Sequence, residues 1–165
     1  MLGEAAVAAL LSLSESENPD HRWWAVRALA AFKQPTAQSG LCRALADQRH
    51  PAVRHCAAMG LRQQPAPEAL PHLISALYEQ DRLLARLAAD ALAALGKQAI
   101  PELQAASEAS DHAVRIEAVR ALAIMKEPEA AEALFGAIDD PSSIVTHWAE
   151  KGLEDLGIGM VFFEP

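Results

Sequence analysis

The feature that most constrains this chain is a twelve-residue pattern that occurs five times, at steps of 30 to 32 residues. In every copy the eighth residue is alanine, the twelfth is leucine, and the eleventh is alanine or glycine. A fixed period of this length is typical of folds that stack one small structural unit repeatedly. The windows begin at Asn18, His50, Asp81, Asp111 and Ser142.

Each window has the pattern of an amphipathic helix. Positions 4, 8, 11 and 12 fall on one side of a helical wheel, and position 4 is apolar in four of the five copies. Small residues on that side allow neighbouring helices to approach closely, and leucine fills the space between layers. Pro19 and Pro51 suit the first turn of a helix. Residues that favour an N-cap open four of the windows: Asn18, Asp81, Asp111 and Ser142.

A second helix is predicted between successive windows. These segments align through one leucine column and, three residues later, one alanine column. The segment from Gly3 to Leu13 has the same character, like the second helix of a repeat whose first helix is missing. The composition agrees, because 52% of the residues are hydrophobic but only 5% are aromatic, which suits closely packed helices. The columns are Leu41, Leu73, Leu103 and Leu134, then Ala44, Ala76, Ala106 and Ala137.

The predicted fold is all-α: a right-handed α-solenoid of about five repeats, with roughly ten antiparallel helices. We expect one domain over residues 1–165. Within it, residues 1–17 are predicted to form an N-terminal capping helix, residues 18–156 the repeats, and residues 157–165 a C-terminal capping tail.

The windows HPAVRHCAAMGL and DHAVRIEAVRAL resemble the HEAT-like repeat of the phycobilisome-lyase type, and the resemblance covers residues 18–156. It implies that the arginine at position 5 pairs with an acidic residue, and that these pairs form a ladder along the stack. Ala85 and Thr146 replace this arginine, so we expect the ladder to be broken at the third and fifth repeats. The matching arginines are Arg22, Arg54 and Arg115.

The sequence carries no recognisable catalytic, metal-binding or cofactor-binding signature. It contains no G-x-S-x-G motif, and no histidine is followed directly by glutamate. The second absence matters because the deoxyhypusine hydroxylases, another HEAT-repeat family, carry His-Glu pairs for a di-iron centre. We therefore expect no cofactor and no metal, and predict that the chain is not an enzyme.

The formal net charge of −8 argues against two classes of partner. A negative field repels phosphate backbones and anionic membrane surfaces. No stretch reaches about 18 uncharged apolar residues, which is the length needed to span a bilayer. Two cysteines, Cys42 and Cys56, are too few for a disulfide framework. We expect a soluble, cytoplasmic protein that binds neither nucleic acid nor membranes.

The second helices are expected to line the concave side of the solenoid, so their outward residues form the default binding surface. This strip is polar and mildly acidic. It suits a basic segment of a protein partner, although a merely solvated face is an equal alternative. Its candidate residues are Arg43, His72, Tyr78, Glu79, Glu102 and Phe135.

The tail carries Phe162 and Phe163 in an apolar run that has two interpretations. It either folds back to cover the last layer of the stack or docks on a partner, including a second copy in a weak homo-oligomer.

Trp23 and Trp24 are adjacent, so their rings cannot both face one buried side of a helix. The window register predicts that Trp24 packs at the edge of a layer. It leaves Trp23 on the convex surface, where this indole is covered by the N-terminal segment or contacts a partner.

The main functional hypothesis from these observations is a non-enzymatic scaffold or adaptor that binds a protein partner. The alternative follows from the resemblance to phycobilisome lyases, whose relatives attach or detach chromophores, usually with a second subunit. It is a bilin lyase-like or tetrapyrrole-handling protein that acts with a partner subunit.

Overall fold

The computed structural model describes residues 2–158, which form a succession of α-helices joined by short loops and 3-10 turns. No strand occurs in this part of the chain, so the predicted all-helical class is confirmed. The five windows form α2, α4, α6, α8 and α10, which we call the window helices; the others are the intervening helices. The bounds are α1 Leu2–Ser14, α2 Pro19–Leu29, α3 Pro35–Ala46, α4 Pro51–Gln63, α5 Leu70–Leu77, α6 Arg82–Leu95, α7 Ile100–Ser107, α8 His112–Met125, α9 Ala131–Gly136 and α10 Ser143–Asp155.

The chain divides into two compact units, Met1–Leu95 and Gly96–Pro165. In the first unit α1 packs on α2, α3 on α4 and α5 on α6; in the second, α7 packs on α8 and α9 on α10. Each intervening helix therefore forms a pair with the window helix that follows it. Helix α1 packs on α2 as α3 packs on α4. The predicted domain boundaries remain a prediction.

The window helices form the more closely packed layer of each unit. Helix α4 lies against both α2 and α6, and α10 lies against α8, more extensively than the intervening helices approach one another. A Cβ built on Gly60 lies 3.1 Å from Cβ of Ala30, which shows how close α2 and α4 come. The prediction that the intervening helices line the concave side of the solenoid remains a prediction.

The columns that defined the repeat form the core. The five column alanines are fully buried, and the column leucines are at most 4% exposed. Each alanine allows a neighbouring helix to approach closely, and each leucine fills the space between helices. The same packing is therefore repeated in each of the five windows. These residues are Ala25, Ala57, Ala88, Ala118 and Ala149, with Leu29, Leu61, Leu92, Leu122 and Leu153.

Three of the four predicted N-caps are confirmed. The side chain of Asn18 accepts from the backbone of Asp20 at 2.9 Å, and the carboxylates of Asp81 and Asp111 accept from helix amides at 3.0 and 2.9 Å. The fourth prediction is wrong in its chemistry: Ser142 precedes α10 but makes no side-chain capping bond. Its own N–H instead donates to Asp140 at 2.8 Å.

The predicted exposure of the paired tryptophans is reversed. The side chain of Trp24 is 62% exposed, whereas that of Trp23 is half-buried and therefore the less exposed of the two. Their rings meet nearly edge to face, with centroids 4.8 Å apart. The physical reason is the closer packing of the window helices: position 6 of α2 turns toward α4, and position 7 is left facing solvent.

Candidate functional site

Three arginine–carboxylate pairs connect the window helices to the loops that follow the intervening helices. Arg22 pairs with Asp47, Arg54 with Glu79, and Arg115 with Asp140. Arg54 Nη2 lies 2.5 Å from Glu79 Oε1, and Arg115 Nε lies 2.7 Å from Asp140 Oδ2. The predicted ladder is confirmed at the first, second and fourth repeats; at the third, a buried Ala85 replaces the arginine.

The second pair is the most highly connected. Arg54 is 7% exposed, and its Nε donates to the carbonyl of Leu45 at 2.8 Å, the C-terminal turn of α3. Its Nη1 donates to Gln48 at 3.2 Å and to Glu79 at 2.7 Å. The hydrogen bond from Arg54 holds the pKa of Glu79 below its ordinary value. One guanidinium thus joins the ends of α3 and α5.

In the first pair, Arg22 donates to fewer hydrogen-bond acceptors than Arg54 does in the second. Hydrogen bonds from Arg49, with the charge of Arg22 beside them, lower the pKa of Asp47 to about 2. Arg22 Nε is buried and has no hydrogen-bond partner within residues 2–158, whereas Nε of Arg54 meets a carbonyl. The first rung of the ladder is therefore less completely hydrogen-bonded than the second.

Sequence reasoning missed the identity of the acidic partners, although a signal for them exists. Each carboxylate follows its arginine by 25 residues. The residue 25 positions after Ala85 is Ser110, so the third repeat lacks both members of the pair.

The predicted partner-binding residues differ in their exposure and in whether they are already paired. Exposed side chains include Tyr78 at 48% and Phe135 at 49%. Glu79 is not a free surface residue, because Arg54 holds it in the ion pair described above. Glu102 is only half-exposed, and its Oε2 is buried without a hydrogen-bond partner in the described part of the chain. Phe162 and Phe163 lie outside the described residues. Arg43 and His72 are also exposed.

A groove of about 340 Å³ runs between α2 and α4 on the window-helix layer of the first unit. Trp23 and Arg27 line it from α2, and His55 and Met59 line it from α4. Arg27 lies over the indole of Trp23, with its guanidinium carbon 5.4 Å from the ring centroid. Of these four residues only Trp23 was predicted as a site residue. Trp23 and His55 occupy position 6 of their windows, and Arg27 and Met59 occupy position 10.

A second groove, of about 300 Å³, lies between α7 and α9 in the second unit. Its charged lining is acidic: Glu108, Glu132 and Asp140. Asp140 is already paired with Arg115. The two glutamates are exposed, so this groove carries the acidic character that the sequence predicted for the intervening helices.

Both thiols are buried between helices. Burial raises the pKa of Cys42 and of Cys56 above the ordinary thiol value. A raised pKa and low exposure both reduce the amount of reactive thiolate at neutral pH. Neither cysteine is therefore suited to act as a nucleophile in the folded protein.

We predict that native protein reacts slowly with the thiol reagent DTNB and that both thiols react rapidly after unfolding in urea. The matched control is Ser39→Cys, since Ser39 is exposed on α3 and a thiol there remains accessible. The measurement is the release of thionitrobenzoate at 412 nm. A native thiol in the unsubstituted chain that reacts as fast as the added one contradicts this prediction.

The family model for HEAT repeats matches residues 7–93 and 70–154. The chain belongs to the HEAT-repeat family. The predicted resemblance is thereby confirmed, as is the α-solenoid class, since solved HEAT and armadillo repeat structures match more than nine-tenths of the chain.

Among relatives of this HEAT-repeat chain is the bilin biosynthesis protein RpcF of Synechococcus sp. (strain WH8020), 37% identical over 94 residues. The match covers 53% of this chain and 40% of RpcF. The complex of CpcE and CpcF of phycocyanin lyase from Nostoc sp. PCC7120 matches with a TM-score of 0.63 and 23% identity, over 91% of this chain and 64% of that one. The chain thus spans less than two-thirds of either relative.

Human deoxyhypusine hydroxylase in complex with glycerol has the same fold, with a TM-score of 0.62 and 21% identity, over 93% of this chain and 74% of that one.

Within residues 2–158, no three His, Cys, Asp or Glu side chains are grouped to hold a metal ion. None of the helices in the same range is long and apolar enough to cross a membrane.

The prediction that this HEAT-repeat chain is not an enzyme is contradicted by these relatives. The named proteins that it resembles are a bilin biosynthesis protein and a phycocyanin lyase. The prediction rested on the absence of familiar catalytic motifs, and such an absence does not exclude an activity.

Proposed function

We propose that this chain handles a bilin chromophore together with a protein partner, as a bilin lyase-like subunit. The observation that carries the proposal is the 37% identity to RpcF, which extends over 94 residues. The structural similarity to the CpcE and CpcF complex supports a fold able to act beside a second protein.

The buried thiols favour binding and presentation of the chromophore over a covalent step on this chain. A bilin thioether requires a reactive thiolate, and the pKa values of both Cys42 and Cys56 are raised by burial. A bilin would therefore be held here by its conjugated rings and propionate groups. In this proposal the acceptor for any covalent transfer lies on another protein.

The groove between α7 and α9 is the surface that we assign to the protein partner. Glu108 and Glu132 give it a negative charge, and the exposed Phe135 lies on the same short helix as Glu132. A partner segment with lysine or arginine beside an apolar residue complements this surface. Charge there would act chiefly on the rate of association, which falls as salt concentration rises.

The test of bilin binding is a titration of phycocyanobilin with the folded protein, followed by visible absorbance. We expect a shifted and sharpened long-wavelength band that is absent when the same protein is unfolded in urea. After denaturation in acidic urea, the bilin should separate from the chain on gel filtration. An unchanged spectrum at about 100 μM protein, well above a micromolar Kd, would exclude useful affinity and overturn the proposal.

A further inference from the structure

The groove between α2 and α4 has a lining unlike the rest of this acidic chain. Among the residues that the structure describes, no aspartate or glutamate lines it, although the chain carries 22 of them and a net charge of −8. Its lining includes the cation Arg27 together with His55 and the buried thiol of Cys56, whose pKa is raised by burial. Such a composition favours an anionic ligand over the basic segment that suits the acidic groove of the second unit.

Arg27 is available to an incoming anion. It is exposed, and within residues 2–158 its guanidinium lies over the indole of Trp23 and forms no ion pair with a carboxylate. By contrast, Arg62 is paired with Asp90 and Arg49 with Asp47. A guanidinium stacked on a ring keeps its in-plane N–H groups free to donate to a carboxylate.

The opposite wall fixes the position of a second polar group. His55 Nε2 lies 2.6 Å from Asp81 Oδ2, and Asp81 also accepts the backbone N–H of Leu84 at the start of α6. That N–H and the histidine together hold the pKa of Asp81 below its ordinary value. The ring of His55 is thus held in place at the groove while Asp81 remains an anion outside its lining.

The remaining surface is apolar and adaptable. Met59 is 46% exposed on α4, and Trp24 is 62% exposed beside Trp23. The floor consists of small residues, among them Ala30 and Gly60, where the two helices approach closely. An indole, a thioether and a flat floor suit a planar conjugated molecule.

We propose that this groove binds a planar conjugated carboxylate, with Arg27 receiving the carboxylate and Trp23 and Met59 contacting the conjugated rings. The inference deepens the proposed function, on which it rests, by assigning the propionate-bearing rings of the bilin to this site. A volume of about 340 Å³ is at the small end for ligand pockets, so the remaining rings of the bilin lie outside the groove.

The test compares two single-charge variants in the full chain. Arg27→Gln removes the cation of the groove, and Arg62→Gln removes an exposed cation from the same unit outside the groove, so both change the net charge equally. Phycocyanobilin binding is followed by quenching of tryptophan fluorescence. We expect Arg27→Gln to raise the Kd at least about tenfold, and Arg62→Gln to change it less than about twofold.

A third variant, Met59→Glu, places a carboxylate in the groove and should abolish binding. Circular dichroism and the urea midpoint of each variant establish that it is folded. If wild-type protein binds bilin and both Arg27→Gln and Met59→Glu bind it equally well, the groove is not the site, while the proposed function stands.

A second probe separates failure of the groove from failure of the proposed function. The planar sulfonate 8-anilinonaphthalene-1-sulfonate shares the anionic, aromatic chemistry but is not a bilin. If the wild type binds this probe in an Arg27-dependent manner but binds no bilin, the groove's ligand class stands and the proposed function falls. Binding of neither probe by wild-type protein overturns both.

Discussion

Replacing Arg54 with methionine should lower the free energy of unfolding by about 3 kcal/mol, the low end for breaking a buried ion pair. Methionine keeps much of the volume but leaves the Leu45 carbonyl and the Glu79 carboxylate without their donor. Unsatisfied polar groups of this kind carry the full cost of desolvation. Urea unfolding followed by circular dichroism at 222 nm measures the change.

The matched control is Arg62→Met. The side chain of Arg62 is 63% exposed and its 3.5 Å pair with Asp90 is open to water, so the expected change is within about 0.5 kcal/mol. Equal effects from the two substitutions would show that the Arg54–Glu79 pair does not stabilise the folded protein.

The dependence on pH gives an independent check of the same pair. Arg54 lowers the pKa of Glu79 in the folded state, so the pair contributes stability above the unfolded glutamate pKa of about 4.3. That contribution is lost as the pH falls through the lower folded value. The difference between wild type and Arg54→Met should therefore be largest near neutral pH and shrink in acid.

Gly152→Ala should destabilise the second unit by about 2 kcal/mol, despite the higher helix propensity of alanine. A Cβ on Gly152 would lie 2.8 Å from Leu134 Cδ1 and 2.9 Å from both Cα and Cβ of Ala123. The leucine can move, but the backbone of α8 cannot move without disturbing its packing against α10. Thermal unfolding by circular dichroism measures the loss.

Gly136→Ala is the control from the same unit. Gly136 is exposed at the end of α9, and a Cβ there meets no atom within 4 Å. Alanine should be neutral or stabilise by up to about 1 kcal/mol, through propensity alone. A neutral Gly152→Ala would mean that α8 and α10 do not pack as closely as described.

Much of the fold could be predicted from the residues because repetition makes local signals mutually consistent. Alanine at window position 8 and leucine at position 12 mark buried positions in all five copies, and Asn18, Asp81 and Asp111 mark helix starts. The ladder arginines were also predictable, since their spacing repeats with the windows. Ser142 shows the limit, because a residue of the right type at the right position still makes no capping bond.

The candidate site was far less predictable. Trp23 and His55 share position 6 of their windows, a mixed column that we interpreted as convex surface. Which side of a helix is surface depends on which layer of the stack is closer, and no single window contains that information. Glu79 was predicted as a binding residue because the acidic partners of the ladder arginines were not identified from the sequence, and it belongs to the ladder.

The sequence by itself determined the repeat, the helix boundaries and the columns of the core, because these depend on residue size and polarity at a helical period. The ladder arginines came from the resemblance to the HEAT-like repeat, which implies an acidic partner for the arginine at position 5 of a window. Only the tertiary structure decided that the window helices form the closer layer and that Trp23, rather than Trp24, faces a groove. The physical reason is that these properties arise between helices: they depend on the distance and rotation of one helix against the next, which the pattern within a window leaves open.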